Sequence, residues 1–280
     1  MKIVQLSDTH ISHRGGATTE NLRAFVDLIN AINPTFVVHS GDMAILDPDQ
    51  ADDREAAREL LAGIQAPLRV LPGNHDVGER PDNAWAGLVV TPERLAAFES
   101  TFGPDHWLEL VGDWAVIGLN SEIMGSGLAE EEAQWEWLAT LPAQIGTRPT
   151  LIFSHKPVWN PYPEVTEHNI AIPDDSKARL LAALDGVTLA ALGSGHLHHY
   201  AVATETHGDA EILTISAPAT GFAHAGLGGT ALAQQGIVEY QLGEGGTVRP
   251  FFRNLTTLVE IAPTEIPEFA TALEELGVSL

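Results

Sequence analysis

Short apolar runs alternate with amphipathic stretches over the first two thirds of the chain. The runs are four to six residues long, which is typical of buried strands. Strands are predicted at residues 2–6, 35–39, 68–71, 107–111, 114–119, 150–153 and 188–192. Gly112-Asp113 joins two of these runs and predicts a β-hairpin.

The stretches between these runs have the pattern of helices that bury one face. In the first of them, apolar residues recur every three or four positions, with Thr19 as the expected N-cap and an end near Asn33. Thr91-Pro92-Glu93 predicts another helix start, with Thr91 as N-cap and proline in the first turn. Further helices are predicted at residues 50–64, 130–141 and 176–184. Strands that alternate with helices predict an α/β fold.

The pattern changes after Tyr200, where alternating segments of the antiparallel type are predicted at residues 202–206, 211–216, 237–242 and 248–253. Residues 221–229 are rich in Gly and Ala and predict a loop, and residues 266–276 predict a short helix. No repeat or low-complexity linker interrupts the chain, so we expect one domain over residues 1–280. In it, the part from about 201 to 280 completes a second sheet. The pattern leaves open whether this part also caps a site or forms the contact of a homodimer.

The charge of the chain narrows its partners. The sequence has 14 Lys and Arg against 38 Asp and Glu, which gives a formal net charge of −24. Such a surface repels phosphates, so neither a nucleic-acid polymer nor an anionic membrane is expected as a partner. The same charge is also an ordinary means of keeping a protein soluble. The chain has no cysteine, which excludes a disulfide framework and thiolate chemistry.

The sequence carries no pattern that predicts export or membrane insertion. Its first residues enter a predicted strand at once and lack the charged and long apolar regions of a signal peptide. No apolar stretch is long enough to span a bilayer. We therefore expect a soluble, cytoplasmic protein.

Five polar motifs stand just after predicted strands, and each supplies carboxylate, amide or imidazole donors. Because loops at the carboxyl ends of strands form the crevice of an open α/β sheet, these motifs are expected to meet at one rim. Each motif alone is common, but all of them in one order, with roughly 30 residues between the first three, is a specific signal. The motifs are Asp8-Thr9-His10, Gly41-Asp42, Gly73-Asn74-His75-Asp76, His155 and Gly195-His196-Leu197-His198.

The motifs hold seven donor side chains, which is too many for one ion and suits two ions that share a carboxylate. Asp8 and His10 are two positions apart, so in an extended segment they would point to the same side, and His196 and His198 repeat that spacing. The donors are oxygen and imidazole nitrogen without sulfur. That set suits iron, manganese, zinc or cobalt, and it does not choose among them.

Together these motifs resemble those of the calcineurin-like metallophosphoesterases over residues 1 to about 200. Within that family the chain looks most like the bacterial class III cyclic-nucleotide and glycerophosphodiester phosphodiesterases. The resemblance implies a two-sheet β-sandwich flanked by helices, a four-layer αββα arrangement.

The resemblance also implies the role of each donor. One metal would take Asp8, His10 and His198, and the other would take Asn74, His155 and His196. Asp42 would bridge the two. His75 would contact substrate rather than metal, either by protonating the departing alkoxide or by stabilising the charged transition state. Asp76 is a candidate to orient His75, and a plain turn residue is the alternative.

The expected activity is that of a metal-dependent phosphodiesterase. A hydroxide held between the metals would attack the phosphorus of a cyclic nucleotide or glycerophosphodiester, a small-molecule substrate. One alternative is a phosphomonoesterase, such as a protein or nucleotide phosphatase, with the same dinuclear centre. A second alternative is a non-catalytic metal-binding interaction module.

Three residues outside the donor set are candidates for contacts with substrate. Arg14 lies close to the first motif and is able to bind phosphate through both guanidinium nitrogens, although a solvated loop arginine is more common. Trp159 and Tyr162 follow His155 in an apparently long loop. They are expected to stack on a nucleobase or pack on another substrate, or else to hold their own loop.

Overall fold

The computed structural model describes residues 1–277 except 83, 166–168, 209, 224–233, 257, 259–260 and 262–264. Its first sheet has five strands in the order β11-β10-β1-β2-β3. The strands are β1 (Lys2–Leu6), β2 (Phe36–His39), β3 (Leu68–Val70), β10 (Ile237–Leu242) and β11 (Val248–Arg253). The first three run parallel, and β10 pairs antiparallel with β1 on its other side.

The second sheet has six strands in the order β4-β5-β6-β7-β9-β8. The strands are β4 (Trp107–Val111), β5 (Trp114–Leu119), β6 (Thr150–Ser154), β7 (Leu189–Ser194), β8 (Ala201–His207) and β9 (Ala210–Ser216). The four inner strands run parallel, and β4 and β8 pair antiparallel at the two edges. The predicted hairpin is therefore confirmed as β4 and β5.

Seven helices are described. They are α1 (Ala17–Ile32), α2 (Ala51–Leu61), α3 (Asn74–Val77), α4 (Pro92–Phe102), α5 (Ala129–Ile145), α6 (Asp174–Ala183) and α7 (Pro267–Glu275). Residues of α1, α2 and α4 pack on one face of the first sheet, and residues of α5 and α6 pack on one face of the second. A third apolar layer lies between the sheets, with Ile3, Val38, Phe153 and Val238 among its members. The predicted two-sheet sandwich flanked by helices is confirmed.

The C-terminal strands are divided between the sheets, whereas the sequence predicts that they complete one. β8 and β9 extend the second sheet, but β10 and β11 join the first beside β1. The difference has a physical reason in β10, where five of six residues are buried because the strand has neighbours on both edges and both faces. β8 is an edge strand, and all seven of its residues are exposed or half-buried.

Local sequence signals predict some of the helix ends correctly and others wrongly. Thr91 caps α4 as predicted, since its hydroxyl accepts a hydrogen bond from the Arg94 amide at 3.2 Å. Asn33 ends α1 in the left-handed conformation. Thr19 is not the N-cap of α1, because the helix already begins at Ala17 and Thr19 is buried in its first turn. Gly16, with φ of 98°, makes the sharp entry that the sequence pattern does not show.

A buried hydrogen-bonded bridge joins the two sheets next to the predicted motifs. Gln5 on β1 donates from its amide nitrogen to the Ser40 hydroxyl at 2.7 Å and to the Ser194 carbonyl at 3.1 Å. Its amide oxygen accepts a hydrogen bond from the Tyr240 hydroxyl at 2.5 Å. Ser40 and Ser194 each precede a predicted motif, in different sheets. This inter-sheet bridge fixes the distance between the two loops that follow them.

Candidate metal centre

Residues from both sheets come together in two clusters of donor atoms. The first cluster comprises Asp8, His10, Asp42 and His198, with one donor atom of each within 4.8 Å of the others. The second comprises Asp42, His155 and His196 by the same measure. Asp42 belongs to both clusters, which is the geometry that a carboxylate shared by two ions requires.

His10 has the state that a metal ligand needs. Its Nδ1 donates to the Ile45 carbonyl at 2.9 Å, so its Nε2 carries the lone pair. That Nε2 is buried, has no hydrogen-bond partner among the described residues and lies 3.8 Å from Asp42 Oδ2. Burial lowers the pKa of His10 to about 3, and the ring is therefore neutral. An unpartnered buried nitrogen of this kind fits a metal ion at the first cluster.

His155 is held by three acceptors. Its Nδ1 donates to the Ser40 carbonyl at 2.9 Å, while its Nε2 faces Asn74 Oδ1 at 3.1 Å and Asp42 Oδ2 at 3.2 Å. Burial alone would lower the pKa of His155, but the charge of Asp42 and its hydrogen bond outweigh burial and raise the pKa to about 10. Without metal the ring is an imidazolium whose Nε2 proton points at two predicted ligands. A cation that displaces this proton would meet all three side chains, so the second cluster also fits a metal ion.

Asp8 connects the first motif to the last. Its Oδ1 lies 3.0 Å from His198 Nε2, and its Oδ2 accepts a hydrogen bond from the His196 amide at 3.2 Å. Burial alone would raise the pKa of Asp8. The neighbouring His198 outweighs this effect and lowers the pKa to about 2. The carboxylate is therefore charged at any physiological pH. The His196 ring stands 5.0 Å from the His155 ring, between centroids.

The backbone at most of the predicted ligands is left-handed rather than extended, which corrects the assumption of the sequence analysis. Side chains two positions apart meet because of these turns and not because of the alternation of a strand. Positive φ is uncommon for residues with a side chain and costs on the order of 1 kcal/mol each. The values are 54° for Asp8, 48° for His10, 57° for Asp42, 65° for His196 and 57° for His198.

Asp76 holds the backbone of the Asp42 loop. Its carboxylate accepts hydrogen bonds from the amides of Asp42, Met43, Ala44 and Gly73 at 2.8 to 3.0 Å. Burial, followed by the charge of Asp42, raises the pKa of Asp76 to about 7. No hydrogen bond runs from Asp76 to the His75 ring among the described contacts. Of the two alternatives for Asp76, the structure therefore favours a residue that organises the turn at Asp42 over one that orients the His75 ring.

Two glycines allow the loops to approach each other. A Cβ on Gly73 would lie 2.2 Å from Asp42 Oδ1, and a Cβ on Gly41 would lie 2.5 Å from His155 Nδ1. Gly41 also has φ of 105°, which a residue with a side chain rarely adopts. Any larger residue at either position would displace a predicted ligand.

His75 lies in the first turn of α3, where the sequence analysis assumed an extended backbone. Its amide donates to Asp42 Oδ1 at 2.9 Å, and its ring Nδ1 donates to the Leu46 carbonyl at 3.0 Å. Its Nε2 lies 4.0 Å from Asp42 Oδ2, and 13% of its side chain is exposed, against 1% for Asp42. His75 thus stands beside the shared carboxylate and is partly exposed, unlike Asp42.

A buried charged triad that the sequence does not predict follows His155. Lys156 Nζ lies 2.8 Å from Glu79 Oε2 and 2.8 Å from Glu122 Oε2, and all three residues are buried. Burial lowers the pKa of Lys156, but the two carboxylates raise it above its usual value. The triad anchors the start of the loop after β6. Only the position of Lys156 next to a predicted ligand was available as a sequence signal.

The three residues predicted to contact substrate have different neighbours in the structure. Arg14 forms an exposed ion pair with Glu275 of α7 at 2.8 Å, so its guanidinium already has a carboxylate partner. Trp159 lines a pocket with Leu197, which lies between two predicted ligands. The Tyr162 hydroxyl donates to His199 Nε2 at 3.2 Å. The two aromatic residues therefore border the last motif, whereas Arg14 lies on the outer surface of α7.

These features agree with comparisons to known proteins. The model of the calcineurin-like phosphoesterase family matches residues 1–200, and the chain belongs to that family. It is 28% identical over 235 residues to the "Probable glycerophosphodiester phosphodiesterase GpdQ" of Arcobacter nitrofigilis, a match that covers 78% of each chain. It is 26% identical over 165 residues to the 3',5'-cyclic adenosine monophosphate phosphodiesterase CpdA of Escherichia coli K12, covering 55% of this chain and 54% of that one.

A third relative has a different named activity. The chain is 29% identical over 147 residues to the serine/threonine-protein phosphatase CPPED1 of Bos taurus, which covers 48% of this chain and 44% of the relative. The chain thus spans about half the length of two of these relatives. A dimetal phosphatase from Danio rerio superposes with a TM-score of 0.57 at 15% identity, covering 87% and 93% of the two chains, and shows the same fold.

Membership of this family makes the chain a metal-dependent hydrolase of phosphoric esters, with donor clusters that are able to hold divalent ions. Which metals these are does not follow from the donor set. Across the part of the chain that the structure describes, no helix has both the length and the apolar character needed to cross a bilayer.

Proposed function

We propose that the chain is a dinuclear metal-dependent phosphodiesterase that acts on a small-molecule diester. The observation that carries this proposal is the position of Asp42, which belongs to both donor clusters and lies 4.0 Å from the Nε2 of His75. One carboxylate thus links two cation sites and a titratable group that is free to act on a substrate.

The residues present suit two ions. Asp8, His10 and His198 would hold one ion, Asn74, His155 and His196 the other, and Asp42 would serve both. When bound, the two ions supply Lewis acidity that activates water near neutral pH and offsets the charge of the phosphate. The carbonyls of Ile45 and Ser40 fix the ring orientations of His10 and His155 through their Nδ1 hydrogens.

His75 is proposed to deliver a proton to the leaving oxygen. The Leu46 carbonyl accepts the Nδ1 hydrogen, so a proton given to the leaving oxygen would come from Nε2, which lies on the side of Asp42. The departing alkoxide would take that proton as the phosphorus–oxygen bond breaks. The backbone amide of His75 donates to Asp42, and this contact would keep the ring beside the reacting phosphate.

The diester is preferred because named relatives act on diesters and because the site offers few cations. The relatives that match over 235 and 165 residues are named for the hydrolysis of glycerophosphodiesters and of a cyclic nucleotide, respectively. A monoester dianion would need more positive charge, and Arg14 and Lys156 are both engaged with carboxylates. The protein-phosphatase relative supports a phosphomonoesterase as the second candidate.

A panel of paired substrates tests the proposal. Bis(4-nitrophenyl) phosphate and 4-nitrophenyl phosphate share a leaving group, and a glycerophosphodiester and a 3',5'-cyclic nucleotide represent the proposed natural classes. We expect higher kcat/KM for diesters than for the matched monoester with any one metal. The Trp137→Ala variant, altered on α5 away from the clusters, is the control for nonspecific damage. A preference for the monoester would transfer the function to the second candidate, and no hydrolysis of any ester by the metal-loaded protein would reject both.

A further inference from the structure

An apolar cluster lies between helix α7 and the rings of His10 and His75. We call Ile45, Leu46, Trp85, Phe269 and Leu273 the rim cluster, because their side chains pack together at the edge of the metal centre. The carbonyls of its first two residues accept the Nδ1 hydrogens of the rings of His10 and His75. The segment that orients these rings is therefore also the segment on which α7 packs.

Two aromatic rings of the rim cluster reach the predicted site itself. The Trp85 ring lies 5.1 Å from the His75 ring, edge to face, and the Phe269 ring lies 5.8 Å from the His10 ring. Both aromatic side chains are half-buried, whereas His10 is fully buried. These two half-buried aromatic residues therefore border His10 and His75 with apolar surface that a bound molecule is able to cover.

The aromatic surface offers no partner to an anionic group. On α7, Glu268 lies against Gly16, and Glu275 pairs with Arg14, the cation closest in sequence to the first motif. A carboxylate or second phosphate on the substrate would meet aromatic carbon here, and its desolvation would not be offset.

We propose that Trp85 and Phe269 form a subsite for the leaving alcohol that selects an uncharged group with an apolar or aromatic face. The proposal rests on the proposed function, and it names the class of diester. In the hydrolysis, a water oxygen forms the new bond to phosphorus as the bond from phosphorus to the leaving oxygen breaks. The leaving oxygen keeps the electron pair and takes up one proton, while the attacking water gives one up. The rings hold the leaving group so that its oxygen faces His75 Nε2.

Binding without hydrolysis tests the subsite directly. The probes are benzyl(methyl)phosphinate and dimethylphosphinate, which are monoanions like a diester and have no ester bond to break. Calorimetry on the metal-loaded protein should show that the benzyl compound binds more tightly. Trp85→Ala and Phe269→Ala should each weaken the benzyl compound by about three- to tenfold, the usual range for one aromatic contact, and leave dimethylphosphinate unchanged. Trp85→Phe should restore most of the preference.

The control is Trp137→Ala, which removes a half-buried tryptophan of α5 that packs on His106. This variant should not change the affinity for either phosphinate. Metal content and Tm are measured for all variants. Equal weakening of both phosphinates in Trp85→Ala, or no weakening at all, would overturn the subsite.

Kinetics on two further esters check the charge selection. Methyl phosphodiesters whose leaving phenol bears either a meta-carboxylate or its methyl ester differ mainly in charge. The neutral ester should have the higher kcat/KM, and equal values would overturn the selection against anions. If the protein hydrolyses no ester yet still prefers the benzyl phosphinate through Trp85, the proposed function fails and the aromatic subsite stands.

Discussion

The two clusters of donors and the rim beside them are built in different ways. The donors follow strands of both sheets, and Asp8, His10, Asp42 and His155 are almost completely buried. The rim uses a short helical turn at Trp85–Gly87 and the helix α7, and its aromatic rings are half-buried. The donor frame cannot change without unfolding a loop, whereas the rim is able to accept new side chains. We therefore expect the donor clusters to set the chemistry and the rim to set the choice of substrate.

The largest expected effect concerns the shared carboxylate. Asp42→Ala should lower kcat/KM by at least about 10³-fold, since it removes a ligand of both ions and each Lewis acid contributes several kcal/mol. Metal content by elemental analysis should fall further than in His198→Ala or Asn74→Ala, which each affect one ion. Equal metal loss in all three variants would show that Asp42 is not the bridge.

The next effect separates the donor frame from the group that acts on substrate. His75→Ala should keep both ions and lose about 10²–10⁴-fold in kcat on an alkyl diester, the usual contribution of a general acid. The loss on bis(4-nitrophenyl) phosphate should be much smaller, because a nitrophenolate leaves without a proton. Side-by-side kinetics with metal analysis measures this difference. Equal losses on both substrates would remove the proton-donor role.

A third test compares how metal binding at the two clusters depends on pH. Asp42 raises the pKa of His155 to about 10 against the effect of burial, so a proton must leave before a metal binds at that ring. Burial lowers the pKa of His10 to about 3, so no proton competes there. From pH 7 to 9 the affinity of the metal-free protein for one ion should rise about tenfold per pH unit. Calorimetry in buffers of different ionisation enthalpy counts the released proton, and pH-independent binding of both ions would contradict the assignment.

The smallest effect is expected at Arg14. The structure gives its guanidinium a partner in Glu275, and an exposed pair of this kind contributes little to stability. Arg14→Gln should change kcat/KM for a diester by less than about twofold. Steady-state kinetics checks this, with Glu275→Gln as the matched variant. A tenfold rise in KM in Arg14→Gln alone would return Arg14 to the phosphate.

Local sequence signals were sufficient for the strands and for one helix cap. β1, β4, β5, β10 and β11 have the predicted bounds, since each is a short apolar or alternating run between turn residues. The cap at Thr91 depends only on a hydroxyl and an amide three residues on. The donor residues could be chosen in the same way, because each stands next to a strand end.

Features that depend on distant contacts could not be predicted. The Thr19 cap was wrong because the N-cap of α1 is Gly16, which lies against Glu268 from the other end of the chain. The partners of Lys156 are 77 and 34 positions away in the sequence, so no spacing announces the triad. The left-handed turns at the ligands are set by hydrogen bonds between loops, such as Asp8 N–H to the Gly41 carbonyl at 2.9 Å.

The pairing of β10 with β1 has a consequence for the order of events during synthesis. Lys2 lies opposite Gln241, so the strand that leads to Asp8 cannot fill both of its edges until residue 242 has left the ribosome. Contacts of such long sequence separation form late in folding. A chain stopped before Ile237 also lacks Tyr240, which holds Gln5 between the sheets. We expect such a nascent chain to retain no metal, so that the cell must supply the ions to the protein after translation has passed this strand.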